Sequence, residues 1–345
     1  MLLLAAALAC SEAPAPTTPA APGTSAAVSA ADVASAETPA VVTIYSGRGE
    51  SLVGPLLDRI QSETGVTVEV QYGDTAELVT RMITEGAESP ADLVFAQDSG
   101  HLGALAARDL LSPLPESITD QVDPRFRNKD GHWVGTSGRL RVLVYDTSKV
   151  KPEEMPRSLE ALADPKWRGR LGWAPGNGSF QAHVSALRHT WGEEKTRTWL
   201  TAMSDLEPTR YPKNSPQVEA AAKGEIAIGW VNHYYLHRYD GASTTAANWS
   251  FPEAGDPGNV LMLAGVGVRK GSPDSAAAEK VAAWLVSEPA QQYFASETFE
   301  YPTRPGVATH PDVPALAPDT LATVDQDWLA DVGPTRTMLQ DLGLQ

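Results

Sequence analysis

The chain has 345 residues, with 43 acidic and 27 basic side chains and a formal net charge of −16 at pH 7. A surface with this excess of negative charge repels phosphate backbones, and no basic stripe interrupts it, so nucleic acid is excluded as a partner. The single cysteine, Cys10, excludes an internal disulfide and a cysteine-based zinc site. Because the length suits two domains of ordinary size, we expect a soluble, acidic, two-lobed protein.

Residues 1–10 are predicted to form a secretory signal that ends in a lipidation site. Met1 to Ala9 are all apolar and lead directly into Cys10. The small residues before Cys10 resemble a bacterial lipobox, in which the cysteine is lipidated and becomes the mature N-terminus. We therefore expect the protein in the periplasm or on the outer face of the cytoplasmic membrane, anchored through Cys10. The alternative is a cleaved signal in which the cysteine is incidental.

Residues 11–40 are rich in Ala, Pro, Ser and Thr and contain no aromatic side chain. A segment of this composition cannot bury enough apolar surface to offset the entropy lost on ordering. We therefore predict a disordered tether between the anchor and a folded body that begins at about residue 41.

In the folded body, short apolar runs alternate with segments of helical spacing. Strands are predicted at 41–45, 66–72, 91–96, 140–145, 171–174, 226–231 and 260–268. Helices are predicted at about 52–60 and 78–83 and from near Ser179, Glu193, Ser215 and Asp274. The alternation predicts an α/β fold with mostly parallel sheets, in which ligand sites lie at the carboxyl ends of strands.

Four predicted strands end in polar turns, of which three are rich in glycine. The turns are at 45–49, 97–100, 175–180 and 232–235. Turns of this kind expose backbone N–H groups at helix N-termini and can cradle an anion. One such turn is ordinary in an α/β protein, but four together favour a ligand cleft.

Tyr234 and Tyr235 are the most informative pair of adjacent side chains. Around a loop, both phenols can meet one hard cation, and phenolate oxygen suits ferric iron. Taken alone, adjacent tyrosines are more often core or surface aromatics. The seven histidines show no clustered metal-ligand spacing, so we expect His233 and His237, four residues apart, to be structural or solvent-facing.

The order and spacing of several motifs resemble the ferric-ion-binding periplasmic proteins that serve iron ABC importers. The motifs are TIYSGRGE at 43–50, SPADL at 89–93, SGRLRV at 137–142, PGNGSF at 175–180, NHYY at 232–235 and FEYP at 299–302. The resemblance implies a type 2 periplasmic-binding-protein fold, with two α/β lobes, a hinge and an interlobe cleft. It implies a lobe 1 of residues 41–139 and 266–316 and a lobe 2 of residues 140–265 and 317–345.

The same resemblance implies a set of metal ligands. Tyr234 and Tyr235 match the tandem tyrosines that supply two phenolates to ferric iron. Where members of the family carry a histidine after the first strand, this chain has Gly49 and Glu50, so Glu50 is the candidate carboxylate. Gln97 replaces the glutamate of one subgroup and is a candidate carbonyl ligand.

The family completes the metal shell with a synergistic anion, carbonate or phosphate, and the resemblance assigns its contacts. The candidate anion-binding residues are Arg48, Arg139, Arg141, Asn177, Gly178, Ser179, Asn214 and Asn232. A planar guanidinium can hold two oxygens of the anion at once. Since Arg139 and Arg141 alternate on a strand, we expect only one of them to face the cleft.

The leading hypothesis is an extracytoplasmic iron(III)-binding protein, monomeric, that delivers its cargo to a membrane permease and its ATPase. The runner-up is an importer subunit for a phosphonate or another small oxyanion or organic solute, bound directly by the anion loop and arginines. The third is an extracytoplasmic metal-dependent hydrolase. No nucleophile elbow, Walker loop or recognisable acid–base pair is present, so we do not expect an enzyme.

Overall fold

The computed structural model describes residues 40–241 and 245–345. The predicted signal with Cys10 and the predicted tether up to residue 39 lie outside the described residues. Among the helices of the described part, none has both the length and the apolar character that a membrane span requires.

The described residues form ten strands, twelve α-helices and several short 3-10 helices. The strands are β1 (Val41–Ser46), β2 (Thr67–Tyr72), β3 (Leu93–Ala96), β4 (Val134–Asp146), β5 (Leu171–Trp173), β6 (Thr209–Arg210), β7 (Ile228–Asn232), β8 (Ala246–Trp249), β9 (Leu261–Val268) and β10 (Tyr301–Pro302). The α-helices are α1 (Glu50–Leu57), α2 (Ile60–Thr64), α3 (Thr75–Glu85), α4 (Ser99–Ala106), α5 (Glu116–Thr119), α6 (Gly178–Trp191), α7 (Glu193–Asp205), α8 (Asn214–Ala222), α9 (Tyr234–His237), α10 (Ser275–Leu285), α11 (Glu288–Ser296) and α12 (Val332–Asp341). The 3-10 helices are Gly86–Glu88, Pro124–Phe126, Pro152–Glu154, Glu160–Ala163, Pro165–Trp167, Pro318–Thr320 and Gln326–Ala330.

The strands lie in the order β2-β1-β3-β9-β4-β7-β5-β6, and β8 and β10 also pair with β4. At the two ends of this order the pairs are parallel: β1 with β2 and β3, and β5 with β6 and β7. Every pair that involves β4 or β9 is antiparallel. The expectation of mostly parallel sheets is therefore wrong for the described strands, because two long antiparallel strands join the parallel groups.

Strand β4 is the connection between the two halves of the sheet. Up to Leu140 it pairs with β9, and from Arg141 it pairs with β7 and β8. All of its residues are buried, including the small residues 135–138, which the apolar-run criterion missed. The lobe boundaries implied by the resemblance stay a prediction, but the change of partners places Arg139 and Arg141 on either side of a junction.

The apolar core has two large clusters. One contains β1, β3 and β9, continues along β4 to Val142 and Val144, and reaches β7 and α8. A second cluster packs Trp167, Trp173 and Trp230 around β5 and β7. Burying side chains of this size supplies most of the favourable free energy of folding, so both clusters stabilise the fold, and the first one also links the two halves of the sheet.

The 3-10 helix Gln326–Ala330 lies against both α4 and α6. The hydroxyl of Ser99 donates to the Gln326 side-chain oxygen at 2.8 Å, and Leu329 packs with Ala182 and other buried residues. A Cβ atom on Gly100 would lie 2.4 Å from the Ala330 nitrogen, so only glycine fits at this approach. The chain therefore returns near its C-terminus to contact helices on both sides of the cleft described below.

Candidate metal and anion site

A cavity of about 370 Å³ opens at the carboxyl ends of several strands, and all four polar turns contribute to it. Its first wall, next to β1, β2 and β3, consists of Gly47, Asp74, Thr75, Gln97, Asp98 and His101. Its second wall, next to β5 and β7, consists of Asn177, Gly178, Ser179, Asn232, Tyr234 and Tyr235. Arg139, at the junction in β4, and residues of the C-terminal segment, including Arg336, complete the lining.

Tyr234 and Tyr235 form the first turn of α9, directly after β7. Their rings stack with centroids 4.4 Å apart at an interplanar angle of 27°. Tyr234 is buried, and this burial, together with Tyr235, raises the pKa of Tyr234 well above its ordinary value, although Arg139 acts in the opposite direction. The Tyr234 phenol therefore stays protonated at neutral pH unless a nearby cation stabilises the phenolate.

The N-terminus of α6 is held by a hydrogen-bond network. The Asn177 side-chain oxygen accepts from the backbone N–H of Ser179 at 3.1 Å and from its hydroxyl at 2.5 Å. The Ser179 hydroxyl oxygen in turn accepts from Asn214 at 3.1 Å and from Arg141 at 3.3 Å. Arg141 also donates to the side-chain oxygen of Asn232 at 3.0 Å. The second wall is thus fixed around a helix N-terminus, which favours negative charge.

Arg139 and Arg141 have different environments. Arg141 is fully buried, and burial lowers its pKa to about 9, so its guanidinium still carries a charge at neutral pH. Arg139 lines the cleft and donates to the backbone oxygen of Gln97. Only Arg139 faces the cleft, as expected, but the expected reason is wrong. Residues two apart on a strand share a face, and Arg141 is instead covered by Ser179 and Asn232.

Asp98 and His101 form a hydrogen-bonded pair in the first wall. Asp98 caps α4 by accepting from the backbone N–H of His101 at 3.0 Å, and both carboxylate oxygens lie 2.8 Å from Nδ1 of the His101 ring. Burial alone would lower the pKa of His101, but the Asp98 carboxylate outweighs it and raises the pKa. The carboxylate and the ring are therefore held in one orientation at the cleft surface.

The comparisons agree on one family. Residues 56–318 match the bacterial extracellular solute-binding proteins. Over 319 residues the chain is 30% identical to the major ferric iron-binding protein of Neisseria meningitidis serogroup A, with 90% of this chain and 96% of that protein covered. The chain belongs to the periplasmic ferric-ion-binding proteins.

Solved structures of similar proteins agree with this assignment. Iron-bound HitA from Pseudomonas aeruginosa is 29% identical, with a TM-score of 0.80 over 89% of this chain and all of HitA. A Trichodesmium protein, IdiA or FutA, in complex with iron and citrate is 26% identical, with a TM-score of 0.78 over 88% of this chain and all of that one. The two-lobed α/β fold of the family is therefore confirmed for this chain.

Two residues that the ferric-ion-binding family resemblance suggested as first-lobe contacts lie outside the cleft. Glu50 is exposed at the start of α1 and lies near Tyr72, because the chain turns away from the cleft after Gly49. Arg48 is fully buried and donates from one nitrogen to both carboxylate oxygens of Glu300, at 2.8 and 2.9 Å. Neither Glu50 nor Arg48 lines the cleft in this structure, so the geometry gives no support to Glu50 as a metal ligand or to Arg48 as an anion contact.

Gln97 does line the cleft, but its side-chain oxygen is already in use. It accepts from Nη1 of Arg48 at 3.1 Å. A guanidinium at this distance repels a trivalent cation, so the Gln97 oxygen is a poor metal ligand here. Asn214 is buried behind Ser179 and supports the anion loop without lining the cavity.

His233 has a structural role, in agreement with the expectation. Its Nδ1 accepts from the backbone N–H of Leu140 at 3.1 Å and its Nε2 lies 2.8 Å from the backbone oxygen of Phe299. Burial lowers its pKa to about 4, so the ring is neutral. His237 stacks on Phe299 with centroids 5.6 Å apart and does not line the cleft.

Three further residues that line the cleft, Asp74, His101 and Arg336, were not predicted from the sequence. Asp74 lies just after the end of β2, and its position after a predicted strand could have identified it as a candidate. His101 lies on the first turn of α4 after the predicted polar turn, so the turn was found and the side chain was not. Arg336 comes from α12 and donates to Gln181 at 3.0 Å. A contact between residues 155 positions apart in the sequence cannot be predicted from a local sequence pattern.

Proposed function

We propose that this protein binds ferric iron outside the cytoplasmic membrane and delivers it to an ABC importer. The observation that carries the proposal is the stacked pair Tyr234 and Tyr235 beside Arg139 and the α6 N-terminus in one cleft. Two phenolate oxygens suit a hard trivalent cation, whose charge offsets the cost of ionising a buried phenol. The names of the Neisseria relative and of iron-bound HitA support the same cargo.

A synergistic anion is proposed to occupy the second wall. The positive N-terminal end of α6 and the guanidinium of Arg139 both favour negative charge, and they line the same cavity as the two phenols. Carbonate and phosphate both suit such a cradle, since each presents two oxygens to a guanidinium. The citrate bound with iron in the Trichodesmium protein adds a carboxylate candidate to the same test.

The remaining partners are proposed from the family. A solute-binding protein of an importer acts with a permease and its ATPase, and we propose that this chain acts as a monomer in the periplasm or tethered to the membrane through Cys10. The relatives are binding proteins, which supports a binding role and gives the hydrolase hypothesis no support.

The deciding experiment is an absorbance titration with ferric ion in bicarbonate or phosphate buffer. A visible phenolate-to-iron charge-transfer band is expected for the wild-type protein and no band for Tyr234→Phe/Tyr235→Phe. Tyr239→Phe is the matched control, because Tyr239 lies close in sequence but does not line the cleft, and it keeps the band. A wild-type protein that stays colourless and shows unchanged tyrosine absorbance would falsify the proposal.

The oxyanion importer remains the second candidate, because the anion-binding half of the cleft is better formed than the first-lobe metal half. The α6 loop, Asn232 and Arg139 line the cavity, whereas Glu50 is outside the cleft and Gln97 is bound to Arg48. Calorimetry separates the candidates. Heat from phosphate or a phosphonate without iron, together with no response to ferric ion, would favour the oxyanion importer.

A further inference from the structure

His101 is the histidine that lines the cleft. All seven histidines fall within the described residues, and the six others do not line the cavity that contains Tyr234 and Tyr235. His101 lies on the first wall, in the first turn of α4, and the two tyrosines lie on the second wall. Its side chain is 24% exposed, so the ring is accessible from the cavity.

The ring of His101 is oriented as a metal-ligating imidazole usually is. Its Nδ1 lies 2.8 Å from both carboxylate oxygens of Asp98, an arrangement that places the proton on Nδ1 and leaves a lone pair on Nε2. Asp98 is itself fixed as the cap of α4. Among the described residues, Nε2 of His101 has no hydrogen-bond partner.

The two buried imidazoles among the described residues lack this combination. His233 uses both ring nitrogens on backbone groups, and His183 has its Nε2 2.6 Å from the Pro257 oxygen. A carboxylate on one nitrogen and a free lone pair on the other is the feature that separates His101 from them. Imidazole nitrogen is an ordinary ligand for iron.

We infer that Nε2 of His101 is the first-wall protein ligand to the ferric ion and that Asp98 positions it. The inference rests on the proposed function and refines it. It replaces Glu50, which is outside the cleft, and Gln97, whose oxygen is bound to Arg48. The ion then has one neutral nitrogen and two phenolates from the protein, and the anion supplies the remaining negative charge.

The test is pulsed electron paramagnetic resonance of the iron-loaded protein, produced with ¹⁵N in its histidines only. Wild-type protein is expected to show a coupled ¹⁵N nucleus beside the charge-transfer band. His101→Gln is expected to lose the ¹⁵N coupling, to keep a band from the tyrosines, and to bind ferric ion at least about 10-fold more weakly.

His310→Gln is the matched control. The His310 side chain is also 24% exposed and lies beside Asp312, but outside the cleft, so coupling and affinity are expected to stay unchanged. Asp98→Asn keeps an acceptor near Nδ1 and removes the charge. It is expected to keep the ¹⁵N nucleus with an altered coupling constant, which loss of helix capping alone would not produce.

The possible results distinguish the role of His101 from iron binding itself. A wild-type band without ¹⁵N coupling overturns the role of His101 and leaves iron binding standing, and this result needs no variant to fold. Coupling that persists in His101→Gln also overturns the role of His101. Absence of any band in the wild-type protein removes the proposed function and this inference together.

Discussion

The two walls of the cleft are built in different ways. The second wall is a connected network, in which Asn177, Ser179, Asn214, Arg141 and Asn232 bond to one another. The first wall consists of side chains on turns after β1, β2 and β3, which are joined in short local pairs. Asp98 binds His101, and the backbone N–H of Gln97 donates to the Thr75 hydroxyl at 3.1 Å.

This difference indicates that the second wall is more strongly preorganised for binding than the first wall. A network whose hydrogen bonds already exist in the free protein loses little freedom when an anion arrives. Side chains joined only in local pairs can be replaced with less disturbance to their neighbours than members of a network. That is consistent with a chain in which the tandem tyrosines match the family pattern while the first-lobe positions depart from it.

The largest expected effect comes from the buried pair behind the first wall. Glu300→Gln leaves the fully buried Arg48 without a countercharge and is expected to lower the free energy of unfolding by about 3–5 kcal/mol. Urea denaturation measures the change. Glu297→Gln, an exposed neighbour on the same segment, is the control and is expected to change stability little. A loss below about 1 kcal/mol in Glu300→Gln would contradict the assignment of this pair.

The same pair sets a pH dependence of stability. Burial would raise the pKa of Glu300, but Arg48, Arg139 and Ser137 outweigh it and hold the pKa below its ordinary value. The stabilisation is therefore present above the pKa of an unfolded glutamate and is lost as the pH falls through the lower folded value. Glu300→Gln is expected to reduce the loss of stability at acid pH. A pH dependence of the free energy of unfolding equal to that of the wild-type protein would contradict this prediction.

The next largest effect tests the phenols of the second wall. Because burial keeps Tyr234 protonated in the free protein, binding of ferric ion through both oxygens releases two protons. Affinity is expected to fall by up to about 100-fold for each unit that the pH drops. Competition against a chelator of known protonation measures this slope. Tyr235→Phe is expected to halve the logarithmic slope, and an equal slope in both proteins would show that Tyr235 is not a ligand.

The smallest effect compares the helix caps of the two walls. Asn177→Ala removes the cap of α6 and Asp74→Ala removes the cap of α3, and each is expected to cost about 1 kcal/mol of stability. Only Asn177→Ala is expected also to make iron binding less dependent on the added anion, since the N-terminus of α6 is the proposed anion site. If both variants change the anion dependence of iron affinity equally, the assignment of the anion to the second wall is wrong.

The cleft itself was predictable from the sequence because the carboxyl ends of strands carry polar turns. All four predicted turns supply lining residues, and the tandem tyrosines line the same cavity. The positions of Glu50 and Arg48 were not predictable. Whether a side chain after a turn faces the cleft depends on the path of the chain and on distant partners, here Glu300, which is 252 residues from Arg48.

The central strand was only half predicted for a related reason. The segment 134–139 is rich in Gly, Ser and Thr and has no apolar alternation, so it does not resemble a strand. It is one because β9 and β10 pair with it and bury it. The antiparallel direction of β4 and β9 likewise follows from long-range pairing, which a list of apolar runs does not contain.

The continuity of β4 has a mechanical consequence. Arg139 pairs with Met262 in one half of the sheet, and Arg141, two residues later, pairs with Asn232 in the other half. A rotation of one half against the other would have its fulcrum between these residues, directly beside the cleft. Displacement grows with distance from a fulcrum, so a small adjustment at the cleft becomes a large swing at the outer rims of the two halves.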